Sequence, residues 1–238
     1  MDGRTVEISE ACESPEDRTG AAHAAPSART KLKRGAQRAD YAPGTVRAIL
    51  DEALMCHVGV GLGPHPAVIP TAFAVIDDQL YVHGSTANRM FRAMRDGAEA
   101  CLTFTLLDGL VLARSAFHHS VNYRSVILYG RAREVTDPQE KLRAFDALID
   151  HIVPGRSAEV RGANAEELAR TLVLALPIDE ASAKTRTGPP IDEEDDYALD
   201  VWAGVVPLRT VAGSPESDPR TDLCVPSGVE ARYRALAG

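Results

Sequence analysis

Along this chain the spacing of apolar residues changes several times, and each change marks an expected boundary. Residues 1–38 are rich in Ala, Ser, Glu and Arg and nearly devoid of large apolar groups. Such a stretch cannot bury enough surface to offset chain entropy, which predicts a disordered N-terminal arm. Order is expected from about Asp40. Val46, Ile49, Leu50 and Ala53 then recur at helical spacing and predict a short amphipathic helix over 43–54. From Met55 the period becomes two, predicting strands over 56–62, 67–76 and 79–83, with a turn at 63–66 and another at Asp77-Asp78. A helix over about 86–95 turns Met90, Phe91 and Met94 inward.

Three further strands are expected at 100–107, 110–114 and 123–135, the first two joined at Asp108-Gly109. Asp137-Pro138 opens a helix to about His151, and Asn164 with Glu167 has the form of a capping box. Residues 172–178 return to a strand, and 201–208 form a last apolar strand with the only tryptophan. Beyond about Gly213 the composition is polar and Pro-rich, which predicts a loose tail over 213–238 with one terminal helical turn. Strands joined by tight hairpins point to a mainly β, antiparallel barrel with flanking helices, not a doubly wound sheet. The expected domain covers 39–212.

Composition narrows the functional classes. A net charge of −8 argues against a general nucleic-acid binder, which needs a basic face. The local exception is Arg29–Arg38, with five cations in ten residues, read as a solvated arm. Cys12, Cys56, Cys101 and Cys224 are scattered with no CxxC pair, so neither a zinc ribbon nor a dithiol motif is supported. With no apolar run long enough to span a bilayer and a polar, acidic N-terminus, the expectation is a cytoplasmic protein without membrane or nucleic-acid partners.

Candidate chemistry concentrates at 80–90, LYVHGSTANRM. A strand ending in a Gly84-Ser85-Thr86 turn and entering a helix presents free amides, two hydroxyls and the Arg89 cation, a set suited to a phosphate. Ser85 and Thr86 are also good N-cap types, and a merely capped helix is the simpler reading of those two residues alone; Arg89 shifts the balance toward an anion. His83 is either a neighbour of the ligand or a satisfied strand-end histidine. Thirty residues on, Asn122, Tyr123, Arg124 and Ser125 enter another strand and could face the same ligand, unless Arg124 pairs with a surface carboxylate. Adjacent His118 and His119 point to opposite faces of a strand and lack a carboxylate at ligand spacing, so no metal site is read there. The acids at 192–196 are read as a solvated face, and Trp202 as core, interface or the flank of a ring system.

At these residues the chain resembles the pyridoxamine 5'-phosphate oxidase-like, split-barrel flavin-binding family, and in particular its nitroimidazole-resistance and flavin-nucleotide-binding branch. The segments that carry the resemblance are PTAFAVIDDQLYVHGSTANRM, LLDGLVLARSAFHHSVNYRSVILYGRA, and LPIDEASAKTRTGPP with DVWAGVVPL, spanning about 41–208. It implies a six-stranded antiparallel split β-barrel, a homodimer, and FMN at the subunit interface. Arg89 and Asn88 lie in the family's phosphate corner, although Met90 stands where oxidases of the family carry Lys. Pro70, Thr71, Ala72 and Phe73 match the segment along the isoalloxazine, and Arg124 and Ser125 match polar positions of a later flavin-contacting strand. Lys184 and Trp202 match residues reaching the flavin from the partner subunit. The oxidases' C-terminal Arg-Trp substrate pattern is not visible, so the implied activity is a flavin-dependent oxidoreductase with an unidentified substrate. The alternatives are a non-catalytic flavin carrier or sensor, and a haem or deazaflavin protein on the same fold, with His118 or His119 as the haem ligand.

Overall fold

The computed structural model describes residues 23–237 of the chain. Strand β1 (Ala39–Asp40) leads into helix α1 (Pro43–Glu52), then β2 (Cys56–Leu62), β3 (His65–Thr71), β4 (Phe73–Ile76), β5 (Gln79–Ser85), helix α2 (Arg89–Arg95) and the long β6 (Glu99–Leu112). Strand β7 (Ser120–Arg131), β8 (Arg133–Glu134), α3 (Pro138–Ile152), α4 (Ala165–Arg170), β9 (Thr171–Pro177), β10 (Ala181–Arg186), β11 (Gly204–Pro207) and α5 (Ser227–Ala237) complete it.

The strands form two antiparallel sheets. One runs β1-β10-β7-β6-β2-β3, with β11 added to β6, and the other runs β4-β5-β9-β8. The mainly β, antiparallel fold expected from the sequence is therefore present, its strands divided between the two sheets. The chain changes sheet at Ala72, where β3 pairs with β2 and β4 pairs with β5. The single strand expected over 67–76 is thus two, because only a break there lets the hydrophobic alternation serve both sheets. The two strands expected over 100–107 and 110–114 are one strand, β6, ending at Leu112, with a β-bulge between Leu107 and Gly109, where Asp108-Gly109 was read as a turn.

Both sheets turn apolar faces onto one core. Val58, Val60, Leu102, Phe104, Val126 and Leu128 from the larger sheet meet Phe73, Leu80, Val82, Leu172, Leu174 and Leu176 from the smaller one. Val46, Ile49 and Leu50 of α1 and Met90, Phe91 and Met94 of α2 close this core. Each fully buried Leu, Phe or Met contributes roughly 1.5–3 kcal/mol relative to exposure. The smaller sheet is covered on its other face too, where Tyr81, Val173 and Ala175 pack with Ala144 and Phe145 of α3. That double coverage explains why β9, LVLAL, is a continuous apolar run while β2 alternates.

Two flanking expectations change. Residues 1–22 of the expected arm lie outside the described residues. Residues 23–38 are seated on the sheet: Arg29 forms ion pairs with Glu99 and Glu180 and lies over the Tyr129 ring at 4.9 Å. Thr30 is buried and bonds to Ser27. Composition alone missed this because the segment is held by charge and stacking, not by apolar burial. At the other end α5 has eleven residues where one turn was expected, and it is tied back by Arg232 Nε donating to Ile152 O (3.1 Å).

Candidate functional site

The strand-to-helix corner is built by three neighbours. β5 ends at Ser85, which pairs with Thr171 of β9, and Thr86 N donates to Arg170 O at 3.1 Å. Helix α2 then starts at Arg89, with Asn88 as its N-cap: the Asn88 carboxamide oxygen accepts from Met90 N (2.9 Å) and Phe91 N (3.2 Å). The capping role given to Ser85 and Thr86 therefore belongs to Asn88, and the helix begins three residues later than expected. Ser85 Oγ instead accepts from Ala87 N at 3.2 Å. A Cβ at Gly84 would sit 3.3 Å from the Phe91 ring that anchors α2, so any side chain here would push on that ring. Ser85, Thr86 and Arg89 are all exposed, and Arg89 has no ion pair among the described residues.

His83 precedes the corner, half-buried, with its ring edge-on to Phe145 at 5.8 Å. Its Nδ1 is buried with no hydrogen-bond partner among the described residues, and burial holds the imidazole below its ordinary pKa, favouring the neutral form. The Pro70–Phe73 segment divides by side chain. Phe73 is wholly buried, packed edge-on against Phe104 at 4.7 Å, so only its backbone is available to a ligand. Pro70 is exposed beside His57 on β2, while Thr71 and Ala72 are half-buried.

The second group lies in the other sheet. Arg124 is fully occupied: Nε and Nη2 donate to Asp108 at 3.0 and 2.8 Å, Nη2 also reaches Glu52 Oε1 at 2.8 Å, and Nη1 bonds the other Glu52 oxygen. The two carboxylates push the guanidinium pKa further up, Glu52 foremost. This is the surface-carboxylate reading of Arg124, and no hydrogen bond or ion pair among the described residues links it to Arg89. Ser125 Oγ donates to Lys184 O at 3.3 Å, and Tyr123 is half-buried opposite Arg186. Asn122 is buried and holds the neighbouring loop, Nδ2 donating to Gly188 O at 3.1 Å. Trp202, 66% exposed, lays its indole across Gly204, where a Cβ would approach to 2.9 Å.

Sequence reasoning missed two polar centres. Asp192, expected on a solvated face, is buried and accepts from Arg114 N and Nη1, each at 3.1 Å. Arg186 is buried and donates to Asn122 Oδ1 at 2.5 Å. The one available signal was its phase: in a strand it shares a side with Lys184. Near the end of β6, His119 Nδ1 lies 2.9 Å from Ser115 O with the imidazole exposed, and His118 faces Glu193 at 3.5 Å. Among the described residues no group of three or more His, Cys, Asp or Glu is placed to hold a metal ion. No described helix is long and apolar enough to cross a membrane.

Sheet order and the sheet switch together define a split β-barrel, with an open strand-to-helix junction at 85–89. A sequence model described as Pyridoxamine 5'-phosphate oxidase matches residues 43–185, more than half of the chain, and the chain belongs to that family. Among solved structures it is similar to the flavocytochrome Anf3 from Azotobacter vinelandii, with 44% identity over 90% of this chain and 99% of that one and a TM-score of 0.80. It is also similar to the FAD and haem binding protein from Mycobacterium smegmatis, with 38% identity over 84% of this chain and 98% of that one and a TM-score of 0.78. A putative 5-nitroimidazole antibiotic resistance protein from Bacteroides thetaiotaomicron shares the fold, with 23% identity over 61% of this chain and 85% of that one and a TM-score of 0.51. No curated protein matches the chain.

Proposed function

We propose that this chain is a flavin-binding redox protein whose cofactor phosphate is seated at the 85–89 corner. The observation that carries the reading is Arg89: an exposed guanidinium with no ion pair among the described residues, at the first position of α2, three and four residues after two exposed hydroxyls. Ser85 and Thr86 would donate hydrogen bonds to the phosphate, and Arg89 would neutralise it with a two-pronged contact. The backbone at 70–73 would flank the ring. A bound flavin supplies hydride and electron transfer, while the protein binds and orients it. FMN is the flavin implied by the family resemblance, and FAD is named for the Mycobacterium relative. Both carry the same isoalloxazine and 5'-phosphate, so the corner serves either. An absorption spectrum of the purified protein, followed by acid extraction and mass measurement of the released cofactor, tests the reading. A colourless protein that takes up neither FMN nor FAD ends it.

The reading includes a homodimer with cofactor at the subunit interface. It is supported by an exposed apolar row across three strands, Val206 opposite Leu110 and Leu110 opposite Val121. Light scattering at two concentrations distinguishes a dimer from a monomer.

A haem is a second reading, favoured by His119 and by the two relatives described as flavocytochrome and haem-binding. A ligating histidine commonly donates one ring N–H to a carbonyl and offers the other nitrogen to the metal. With Nδ1 beside Ser115 O, His119 has that arrangement, while Phe117 packs edge-on against His118 at 5.2 Å. A haem would supply one-electron chemistry at this end of the sheet. His119→Ala should shift and weaken the Soret band of protein mixed with haem and His118→Ala should leave it in place; a band unchanged in both rejects the assignment.

A further inference from the structure

Arg186 carries a buried charge with no counter-charge, and two more cations stand beside it. The residue is only 7% exposed, yet its guanidinium contacts neutral oxygens alone: Asn122 Oδ1 at 2.5 Å, and Gly188 O and Pro189 O at 3.4 Å each. Its Nε–H makes no hydrogen bond among the described residues. A buried charge without an opposite charge is costly, and neutral partners offset only part of that cost. Lys184 lies two residues earlier on the same side of β10, its ammonium against Gly35, where a Cβ would sit 3.9 Å from Nζ. Gly35 is left-handed, at φ 65°, and begins the turn that delivers Arg38. Ala39 then pairs with Lys184, which places Arg38 alongside β10. Burial first, and then Arg38, lower the Arg186 pKa, as expected where like charges crowd together.

None of these three cations forms an ion pair among the described residues, whereas ten other arginines do. Other surface arginines are unpaired too, but Arg186 is the one that is buried, so its missing counter-charge is not made good by water. We propose that Arg38, Lys184 and Arg186, with Asn122 holding the guanidinium in place, form a second anion site that takes a phosphate or diphosphate group. Three converging cations match a multiply charged anion better than a single carboxylate, and guanidinium geometry suits phosphate oxygens. The site lies on the larger sheet and the 85–89 corner on the smaller one; Lys184, which the family resemblance assigns to the partner subunit's flavin, is the residue the two readings share, and the diphosphate measurement itself needs no flavin. Its phosphate has two candidate sources: a free nucleotide or inorganic diphosphate, or the adenylate half of FAD.

The test is calorimetric titration of the full chain with inorganic diphosphate, ADP, FMN and FAD. Diphosphate should bind the wild type, and Arg186→Gln, Lys184→Ala and Arg38→Ala should each weaken it about tenfold or more. Lys184 and Arg38 are only half-buried, so their variants keep the test decisive if Arg186→Gln does not fold. FAD weakened in step while FMN is unchanged identifies the flavin's adenylate as the source. Diphosphate and ADP weakened with both flavins unchanged identifies a separate ligand. If the wild type binds no flavin, the corner reading fails and the diphosphate measurement still stands. Wild type that binds no diphosphate, or binding unaffected in Lys184→Ala and Arg38→Ala, overturns the site.

Discussion

Arg89 and Arg124 are the same residue type, each placed just beyond a polar stretch, and the fold uses them in opposite ways. Arg89 stands in the first turn of α2, exposed and without an ion pair among the described residues. Arg124 sits in mid-strand on β7 and is held between Glu52, at the end of α1, and Asp108, at the β6 bulge. One cation is available to a ligand, and the other joins a helix end to a sheet. Charge alone does not make a binding site; an unclaimed charge does. Arg186 is a third case, buried like a structural residue yet unpaired like a binding one.

This contrast can be broken at either arginine. Arg89→Ala should weaken flavin binding by about 1.5–3 kcal/mol, the range for a hydrogen bond to a charged group, with the thermal midpoint unchanged. Fluorescence titration of the flavin checks it, and unchanged affinity would show that the phosphate sits elsewhere. Arg124→Ala should do the reverse. Two carboxylates lose their partner at a site about a third exposed, so stability in urea should fall by about 1–2 kcal/mol while flavin affinity holds. An equal loss of flavin affinity in this variant would erase the distinction between the two residues.

Smaller changes sharpen it. Asn88→Ala removes the cap of α2 and should cost about 1 kcal/mol of stability, with Asn88→Asp restoring most of it. Because the cap fixes the turn that carries Arg89, flavin affinity should follow the same order. The smallest effect concerns another committed arginine, Arg133, which bonds Glu140 at 2.5 and 3.1 Å. Arg133 first, then the Tyr81 hydroxyl, holds the Glu140 carboxyl below its usual range. A carboxylate with a depressed folded pKa stabilises above its unfolded value, near 4.3, and that stability is lost as pH falls through the folded value. Wild type should therefore lose a few tenths of a kcal/mol more than Glu140→Gln between about pH 5 and 3, and urea melts at the two pH values measure the difference.

Much of the scaffold could be read from residue order. Alternation in 56–62, helical spacing in 43–54 and the capping box at Asn164 and Glu167 are local signals, and each element formed close to where it was expected. What failed were breaks that serve remote partners. Ala72 gives no local sign that the strand before it joins one sheet and the strand after it another. Asp108-Gly109 has the chemistry of a turn, but β7 and β11 continue on either side of it and convert it to a bulge. Asp192 looked like one acid of a solvated run until the fold brought Arg114 to it across 78 positions.

Residue order alone determined that this is an antiparallel β protein with an open, hydroxyl-bearing corner before a short helix. Period and cap chemistry act over a few residues, and no distant contact is needed to express them. Which charges are spent and which stay free was decided only in three dimensions. Glu52, Asp108 and Arg124 are far apart along the chain, and only the packing of α1 against the sheet sets their carboxylates and guanidinium within hydrogen-bonding distance.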